Sequence, residues 1–188
     1  MPEALHERST RRLDHTRQAR VGSARPRPDV TWRSRRTSWS SGSVSMIALD
    51  NVAGLPTVVL HATGRSIDAA DVVNLDLRGK AVLIHTGWSR HWRTDTYFNN
   101  QHPFVSRQGA EKLAESGVRV VGIDSYNIDD TSDLTRPAHT ILLRAGIFIV
   151  EHLTNLESLP ESMPIRFFAV PPKVRGLGTF PVRAFAMV

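Results

Sequence analysis

Cysteine is absent from this 188-residue sequence. The absence excludes disulfide bonds, a thiolate nucleophile and any metal site built on cysteine. It fits a chain that stays in a reducing compartment, and we expect a soluble, cytoplasmic protein. No apolar run approaches the roughly 20 residues that a membrane span needs, and the N-terminus has no hydrophobic signal core. We therefore expect no membrane partner.

Several catalytic and nucleotide-binding motifs are also missing. The sequence contains no GxGxxG, no GxxxxGK[ST], no GxSxG and no HExxH. The first two absences leave a nucleotide cofactor without support, and the third removes the usual setting of a serine nucleophile. Motif matching therefore assigns no catalytic nucleophile or base.

Lysine is absent from residues 1–45, although that segment contains ten arginines and four acidic residues. The difference is +6, which is the net charge of the whole chain, because residues 46–188 carry fourteen charges of each sign. The segment is rich in Arg and Ser and has no apolar period, so it predicts a disordered tail. An alternative is a tail that binds nucleic acid, but no aromatic stacking pattern accompanies the arginines, and we expect no such partner.

Residues 46–188 have the pattern of a folded domain. Ser106 and Gly117 are a plausible N-cap and stop for a helix between them. The other predicted elements are strands in 57–60, 80–88, 118–125 and 147–150, a short helix and a turn in 66–79, a helix in 139–145, and two late strands around 165–172 and 180–188. Strands that alternate with short helices indicate a single α/β domain. The late strand pair, joined by the Gly-rich "VRGLGTF", predicts a mixed sheet.

His139 and Glu151 are the main candidates for chemistry. The short helix after His139 and the oppositely directed strand "IFIV" can return the chain almost to its starting point. Twelve residues of separation therefore still allow the imidazole and the carboxylate to lie side by side. Such a pair suits a divalent cation, since both groups are good ligands for zinc and manganese. It equally suits a base with its orienting partner, or a helix-capping histidine beside a surface glutamate.

Other polar and aromatic residues allow weaker predictions. Asp124 ends an apolar strand, where a buried acid needs a partner. His61 and His85 alternate with apolar residues and predict structural roles, while His152 should face away from Glu151 in an extended segment. Trp88, Trp92 and Tyr97 are candidates for an aromatic pocket or for ordinary loop packing, and Asp129, Asp130 and Asp133 are candidates for turn formation.

Several segments in order resemble the metal-dependent cyclase family. They are "GKAVLIHTGWSRHW", "HPFVS", "GVRVVGIDSYNIDD", "RPAHTILLRAGIFIVEHLTNL" and "FFAVPPKVRGLGTFPVRAFA". That family includes bacterial kynurenine formamidases, which act in tryptophan catabolism, and isatin hydrolase-like enzymes. The resemblance covers about residues 46–188. It implies an α/β swivelling domain of the β/β/α type, assembled as a homo-oligomer, either a dimer or a tetramer.

The resemblance also implies a function and a metal site. A His and a Glu at this spacing are metal ligands in the family, and they correspond to His139 and Glu151. The implied activity is hydrolysis of a small-molecule amide or cyclic amide with zinc or manganese. Trp88, on a loop that ends a strand, is then a candidate for the substrate pocket.

One part of the family pattern is missing from the sequence. The family's main metal motif, HxGTHxDxPxH, should lie upstream of residue 49, where this chain reads "RPRPDVTWRSRRTSWSSGSVS". We therefore expect impaired metal binding and impaired activity. One hypothesis is that residues 1–45 arise from out-of-frame translation. The alternative is a catalytically silent scaffold or oligomerisation module that lost the motif.

Overall fold

The computed structural model describes residues 46–176 and 178–188. The segment 1–45, for which the sequence predicts a disordered tail, lies outside the described residues. The strands in chain order are β1 (Ala53–His61), β2 (Ser66–Ile67), β3 (Ala81–His85), β4 (Phe104–Val105), β5 (Val120–Ile123), β6 (Phe148–Val150), β7 (Arg166–Phe168) and β8 (Phe185–Met187). The helices are α1 (Ala69–Val72), α2 (Arg107–Ser116) and α3 (Pro137–Arg144).

The main sheet is mixed and has the strand order β6-β5-β3-β1-β7-β8. Neighbours among β1, β3, β5 and β6 are parallel, whereas β7 pairs antiparallel with β1 and β8 antiparallel with β7. Strands β2 and β4 form a small separate parallel pair. The predicted α/β domain with a mixed sheet is confirmed.

Helix α2 begins and ends where the sequence predicts. The Ser106 Oγ accepts a hydrogen bond from the Gly109 N–H at 3.0 Å, and Gly117 adopts a left-handed φ of 74° that ends the helix. The short helix predicted within 66–79 is present as α1. It has a single turn and follows β2, and it stops at Val72 because Val73 takes an extended backbone with ψ of 141°.

Apolar side chains pack on both faces of the sheet, as the period of two in a strand requires. In β3, Val82 and Ile84 belong to the core that also contains Ala110 and Leu113 of α2 and Ala138 and Leu142 of α3. Ala81 and Leu83 point to the other face and join a second core with Val120, Leu153, Phe167 and Ala184. Among the described residues, no helix has the length and apolar character to cross a membrane.

The parallel strands β3, β5 and β6 end at the same edge of the sheet. Residues that follow these strands, such as Asp124 after β5 and Glu151 after β6, are therefore neighbours in space. In open α/β sheets, ligands bind at this carboxyl edge. The carboxyl edge is therefore the expected position of a functional site.

Candidate metal and substrate site

The start of helix α3 positions His139. Arg136, with a left-handed φ of 48°, precedes the helix, and Pro137 occupies its first position, where a missing N–H costs nothing. The Asp129 carboxylate accepts hydrogen bonds from the Ala138 N–H at 2.6 Å and from the His139 N–H at 3.3 Å. An acid ten residues upstream thus satisfies backbone donors of the first turn.

Glu151 lies beside His139. Its Oε1 is 3.7 Å from the His139 Nε2 and accepts a hydrogen bond from the Ile128 N–H at 2.7 Å. Strand β6 carries the chain back along the sheet after α3, which produces the proximity that the sequence predicts. Glu151 and His139 are both partly buried.

Asp129 also contacts the His139 ring. Its Oδ2 is 2.6 Å from the His139 Nδ1, and its side chain is 2% exposed. Because an ionised carboxylate only accepts hydrogen bonds, Nδ1 carries the proton. The sequence predicts a turn-forming role for Asp129; the structure adds a contact to His139 that turn chemistry does not reveal.

Arg136 also approaches the His139 ring. Its Nη2 is 2.8 Å from the His139 Nε2 and 3.0 Å from Nδ1, and its Nε is 3.7 Å from the Asp129 Oδ2. Because Nη2 is almost equally far from both ring nitrogens, the guanidinium lies over the face of the imidazole. Its positive charge is therefore close to Nε2, the atom that a metal ion would use.

The donor set around His139 and Glu151 fits two ligands of one divalent ion. An imidazole Nε2 and a carboxylate oxygen lie next to each other, and a carboxylate holds the other ring nitrogen, as is usual for metal-bound histidine. Within residues 46–176 and 178–188, however, no group of three or more His, Asp or Glu side chains is arranged to hold a metal. The described residues therefore provide two ligands, fewer than a complete catalytic site requires.

The other acids of this edge have structural partners. Asp124 is fully buried and accepts hydrogen bonds from the Thr86 N–H and hydroxyl at 2.9 and 2.5 Å and from the Gly87 N–H at 2.8 Å. The Asp130 carboxylate accepts a hydrogen bond from the Ser132 hydroxyl, and the Asp133 carboxylate accepts one from the Thr135 N–H. The predicted partner of Asp124 and the predicted turns at Asp130 and Asp133 are therefore present.

Trp88 belongs to an ordered loop beside this edge. It starts a 3-10 turn, Trp88–His91, and its indole N–H donates to the Tyr97 carbonyl at 3.1 Å. Its ring lies 4.7 Å from that of His91 in an edge-to-face arrangement. These contacts fix the loop, and a role for Trp88 in substrate binding stays a prediction.

An aromatic cluster extends from this loop towards Glu151. Tyr97 contacts Trp92, Phe98, Tyr126 and His152 with ring centroids 4.9 to 6.3 Å apart. Burial raises the pKa of the Tyr97 phenol, and the charges of Asp124 and Glu151 raise it further. The pKa of Tyr126 is raised by burial and then by the charge of Glu151. Both phenols therefore stay protonated near Glu151.

His152 shows why the strand pattern fails after Glu151. The sequence predicts an extended residue facing away from the site, but His152 has a φ of 62°, so alternation ends there. Its Nδ1 lies 3.1 Å from the Tyr97 hydroxyl, and burial lowers its pKa, although the charge of Glu151 opposes that change. His152 thus belongs to the aromatic cluster.

Three further histidines lie outside the pair of candidate ligands, in two different environments. His61 and His85 pair across β1 and β3, with their Nδ1 atoms 3.2 Å apart, which supports the predicted structural role, although His61 is exposed. His102 is fully buried, and the sequence provides no signal for it beyond the proline that follows. Its Nδ1 donates to the Pro103 carbonyl at 3.0 Å, and its Nε2 lies 3.3 Å from the Thr131 hydroxyl.

Comparison with known proteins agrees with this fold. The Cyclase family model matches residues 31–130, more than half of the 188 residues. The chain belongs to the cyclase family. The match begins at residue 31, so its first part lies outside the described residues.

Curated relatives of this cyclase-family chain include kynurenine formamidases. The one from Delftia acidovorans is 29% identical over 148 residues, which cover 76% of this chain and 66% of the relative. The one from Geobacillus thermodenitrificans is 34% identical over 100 residues, which cover 52% of this chain and 46% of the relative. The chain thus spans about half to two thirds of the length of these relatives.

Solved structures of the same family share the fold. A structure described as a potential metal-dependent hydrolase with cyclase activity has a TM-score of 0.68 and 28% identity, covering 79% of this chain and 72% of its own. Isatin hydrolase A from Ralstonia solanacearum has a TM-score of 0.68 and 25% identity, covering 78% of this chain and 64% of its own. These similarities confirm the cyclase-type α/β fold.

Proposed function

We propose that this cyclase-family chain is a metal-dependent hydrolase domain for an aryl-linked amide or cyclic amide, of the kynurenine formamidase or isatin hydrolase type. The observation that carries the proposal is the proximity of the His139 Nε2 and the Glu151 Oε1, 3.7 Å apart at the carboxyl edge of the sheet. The names of the relatives and structural neighbours support the reaction class.

His139 and Glu151 would hold the divalent ion, zinc or manganese, through Nε2 and a carboxylate oxygen. When bound, such an ion polarises a carbonyl and lowers the pKa of water. The Ile128 N–H fixes the Glu151 carboxylate, and the Asp129 carboxylate fixes the His139 ring, so both ligands are held before any ion arrives. Because the described residues provide only two ligands, we expect weaker metal binding than a complete site would have.

The aromatic cluster is proposed to line one side of the substrate pocket. Formylkynurenine and isatin both carry an aryl ring next to the amide, and aromatic side chains pack well against such rings. Tyr126 is only partly buried and lies among Tyr97, Phe98 and His152. It is therefore the clearest candidate to contact a ring, and Trp88, whose indole N–H donates to the Tyr97 carbonyl, is a second candidate.

A second candidate function is a catalytically silent scaffold that assembles as a homo-oligomer. Two observations favour it. The described residues contain no group of three or more possible metal ligands, and the sequence lacks HxGTHxDxPxH. A scaffold would need neither His139 nor Glu151 for its function.

Metal uptake and hydrolysis separate the two functions. The purified full chain is equilibrated with Zn²⁺ or Mn²⁺, its metal content is measured, and formylkynurenine and isatin are tested as substrates. We expect stoichiometric metal in the wild-type chain, and loss of both metal and turnover in His139→Ala and Glu151→Gln, because each variant removes one of the two ligands. Glu157→Gln, in the exposed turn Leu156–Ser158, is the matched control and should retain both.

Absence of metal uptake by the wild-type chain, with His139→Ala changing only local stability, would favour the scaffold. Stoichiometric metal without turnover of either amide would support the ligand pair and exclude these two substrates.

A further inference from the structure

The Asp129 carboxylate accepts hydrogen bonds from both the backbone and the ring of His139, which a turn-forming role does not require. Its Oδ1 accepts from the Ala138 N–H at 2.6 Å, and its Oδ2 accepts from the His139 Nδ1 at 2.6 Å and from the His139 N–H at 3.3 Å. The side chain is almost fully buried, so these contacts replace water. Both carboxylate oxygens are therefore committed as acceptors.

The two carboxylate oxygens accept hydrogen bonds from donors of different kinds. The Ala138 N–H belongs to the backbone and can only donate, whereas the His139 Nδ1 donates or accepts according to the tautomer. A carboxylate at Oδ2 leaves one choice, which is a proton on Nδ1 and a lone pair on Nε2. That lone pair lies on the side of the ring that approaches Glu151.

We propose that Asp129 is a positioning residue that holds His139 as the Nδ1–H tautomer and so keeps its Nε2 lone pair directed to the side of Glu151. This inference deepens the proposed function and rests on it for its role in metal binding. The tautomer itself is a property of the metal-free chain and is tested without any ion.

Asparagine at this position tests the inference because its shape is nearly that of aspartate. We expect its single carbonyl oxygen to accept from the Ala138 N–H, because that contact, at 2.6 Å, is much shorter than the 3.3 Å contact of the His139 N–H. The amide NH₂ then faces the His139 Nδ1, which has to accept, and the proton moves to Nε2. Asp129→Asn should therefore convert His139 to the Nε2–H tautomer, as well as removing the acceptor of the His139 N–H.

The measurement is the ¹⁵N spectrum of the histidine rings in the metal-free full chain at pH 8. The His139 signals are assigned by their loss in His139→Ala. We expect a protonated Nδ1 in the wild-type chain and a protonated Nε2 in Asp129→Asn. The control is Asp130→Asn, because Asp130 bonds to Arg65 and Ser132 rather than to His139, and its spectrum should keep the wild-type His139 pattern.

Zn²⁺ affinity, measured by competition with a chromophoric chelator, is the second readout. Loss of the partner that orients a metal-bound histidine typically weakens binding about 10–100-fold, and we expect that loss in Asp129→Asn but not in Asp130→Asn. A wild-type Nδ1 without a proton overturns the inference, even if Asp129→Asn does not fold. So does an unchanged tautomer in a folded Asp129→Asn chain. A wild-type chain that binds no Zn²⁺ but shows the Nδ1–H tautomer defeats the metal function while leaving the positioning role supported.

Discussion

The His139 imidazole lies between a carboxylate and a guanidinium. Asp129 accepts from Nδ1, and the exposed side chain of Arg136 brings its Nη2 to 2.8 Å from Nε2 and 3.0 Å from Nδ1. Asp129 therefore prepares Nε2 as a ligand, while the positive charge of Arg136 disfavours a cation at the same atom.

Replacing the arginine should accordingly strengthen metal binding. Two unit charges about 4 Å apart interact by about 1 kcal/mol in water, and about 1.4 kcal/mol is a factor of ten in affinity. Because the variant removes a positive charge beside the ligand atom, we expect Arg136→Ala to bind Zn²⁺ roughly two- to tenfold more tightly than the wild-type chain in a chelator competition assay. Arg144→Ala, at the far end of α3, removes the same charge away from His139 and should leave the affinity unchanged. Equal or weaker binding by Arg136→Ala would show that the arginine does not compete with the ion.

At the scale of elements, the segment after β6 is held against the end of β5. The His152 N–H donates to the Ser125 carbonyl and the Leu153 N–H to the Ile123 carbonyl, both at 3.1 Å. Leu153 then fills the space above Gly122, where an added Cβ would lie 2.6 Å from its Cδ1. The glycine thus allows the close approach that places Glu151 at the carboxyl edge.

Gly122→Ala should therefore destabilise the fold. The new methyl group would also lie 2.7 Å from the Leu83 Cδ2, so the second core must shift, and overpacking of this kind costs about 1–3 kcal/mol. Urea unfolding monitored by circular dichroism measures the loss. Gly178→Ala is the matched control, because nothing lies within 4 Å of its added Cβ and a change within about 0.5 kcal/mol is expected. Equal stability of the two variants would mean that Leu153 and Leu83 are not tightly packed on β5.

Local signals in the sequence predict the elements but only part of the site. The cap Ser106 and the stop Gly117 define α2, and the short helix and strand after Pro137 bring His139 back to Glu151. The contacts of Asp129 with His139 could not be predicted, because they depend on how a loop folds back over ten residues. His152 escapes the strand pattern for a similar reason: hydrogen bonds to the end of β5 hold its backbone at a positive φ.

At the scale of the whole molecule, His102 joins three separate parts of the chain. Its ring contacts the Ser125 hydroxyl 23 residues away and the Thr131 hydroxyl 29 residues away, as well as the neighbouring Pro103 carbonyl. The ring is fully buried, and that burial lowers its pKa, while the charge of Arg65 acts in the same direction and the charges of Asp130 and Glu151 oppose it. Since unfolding exposes the ring to water, global stability is coupled to the protonation of His102.

The sign of this coupling follows from the lowered pKa. An unfolded histidine takes up a proton near pH 6.5, whereas the folded His102 does so only at lower pH. Protons therefore favour the unfolded state as the pH falls through about 6.5, and the stability that neutral His102 contributes is present above that pH and lost below it. His102→Asn, which keeps one donor near the Pro103 carbonyl but cannot titrate, should cost about 1–3 kcal/mol at pH 8. The difference between wild type and variant in the free energy of unfolding should shrink between pH 7 and pH 5, as measured by urea titrations at each pH. A difference that stays constant over that range would show that His102 has the same proton affinity in the folded and unfolded chains.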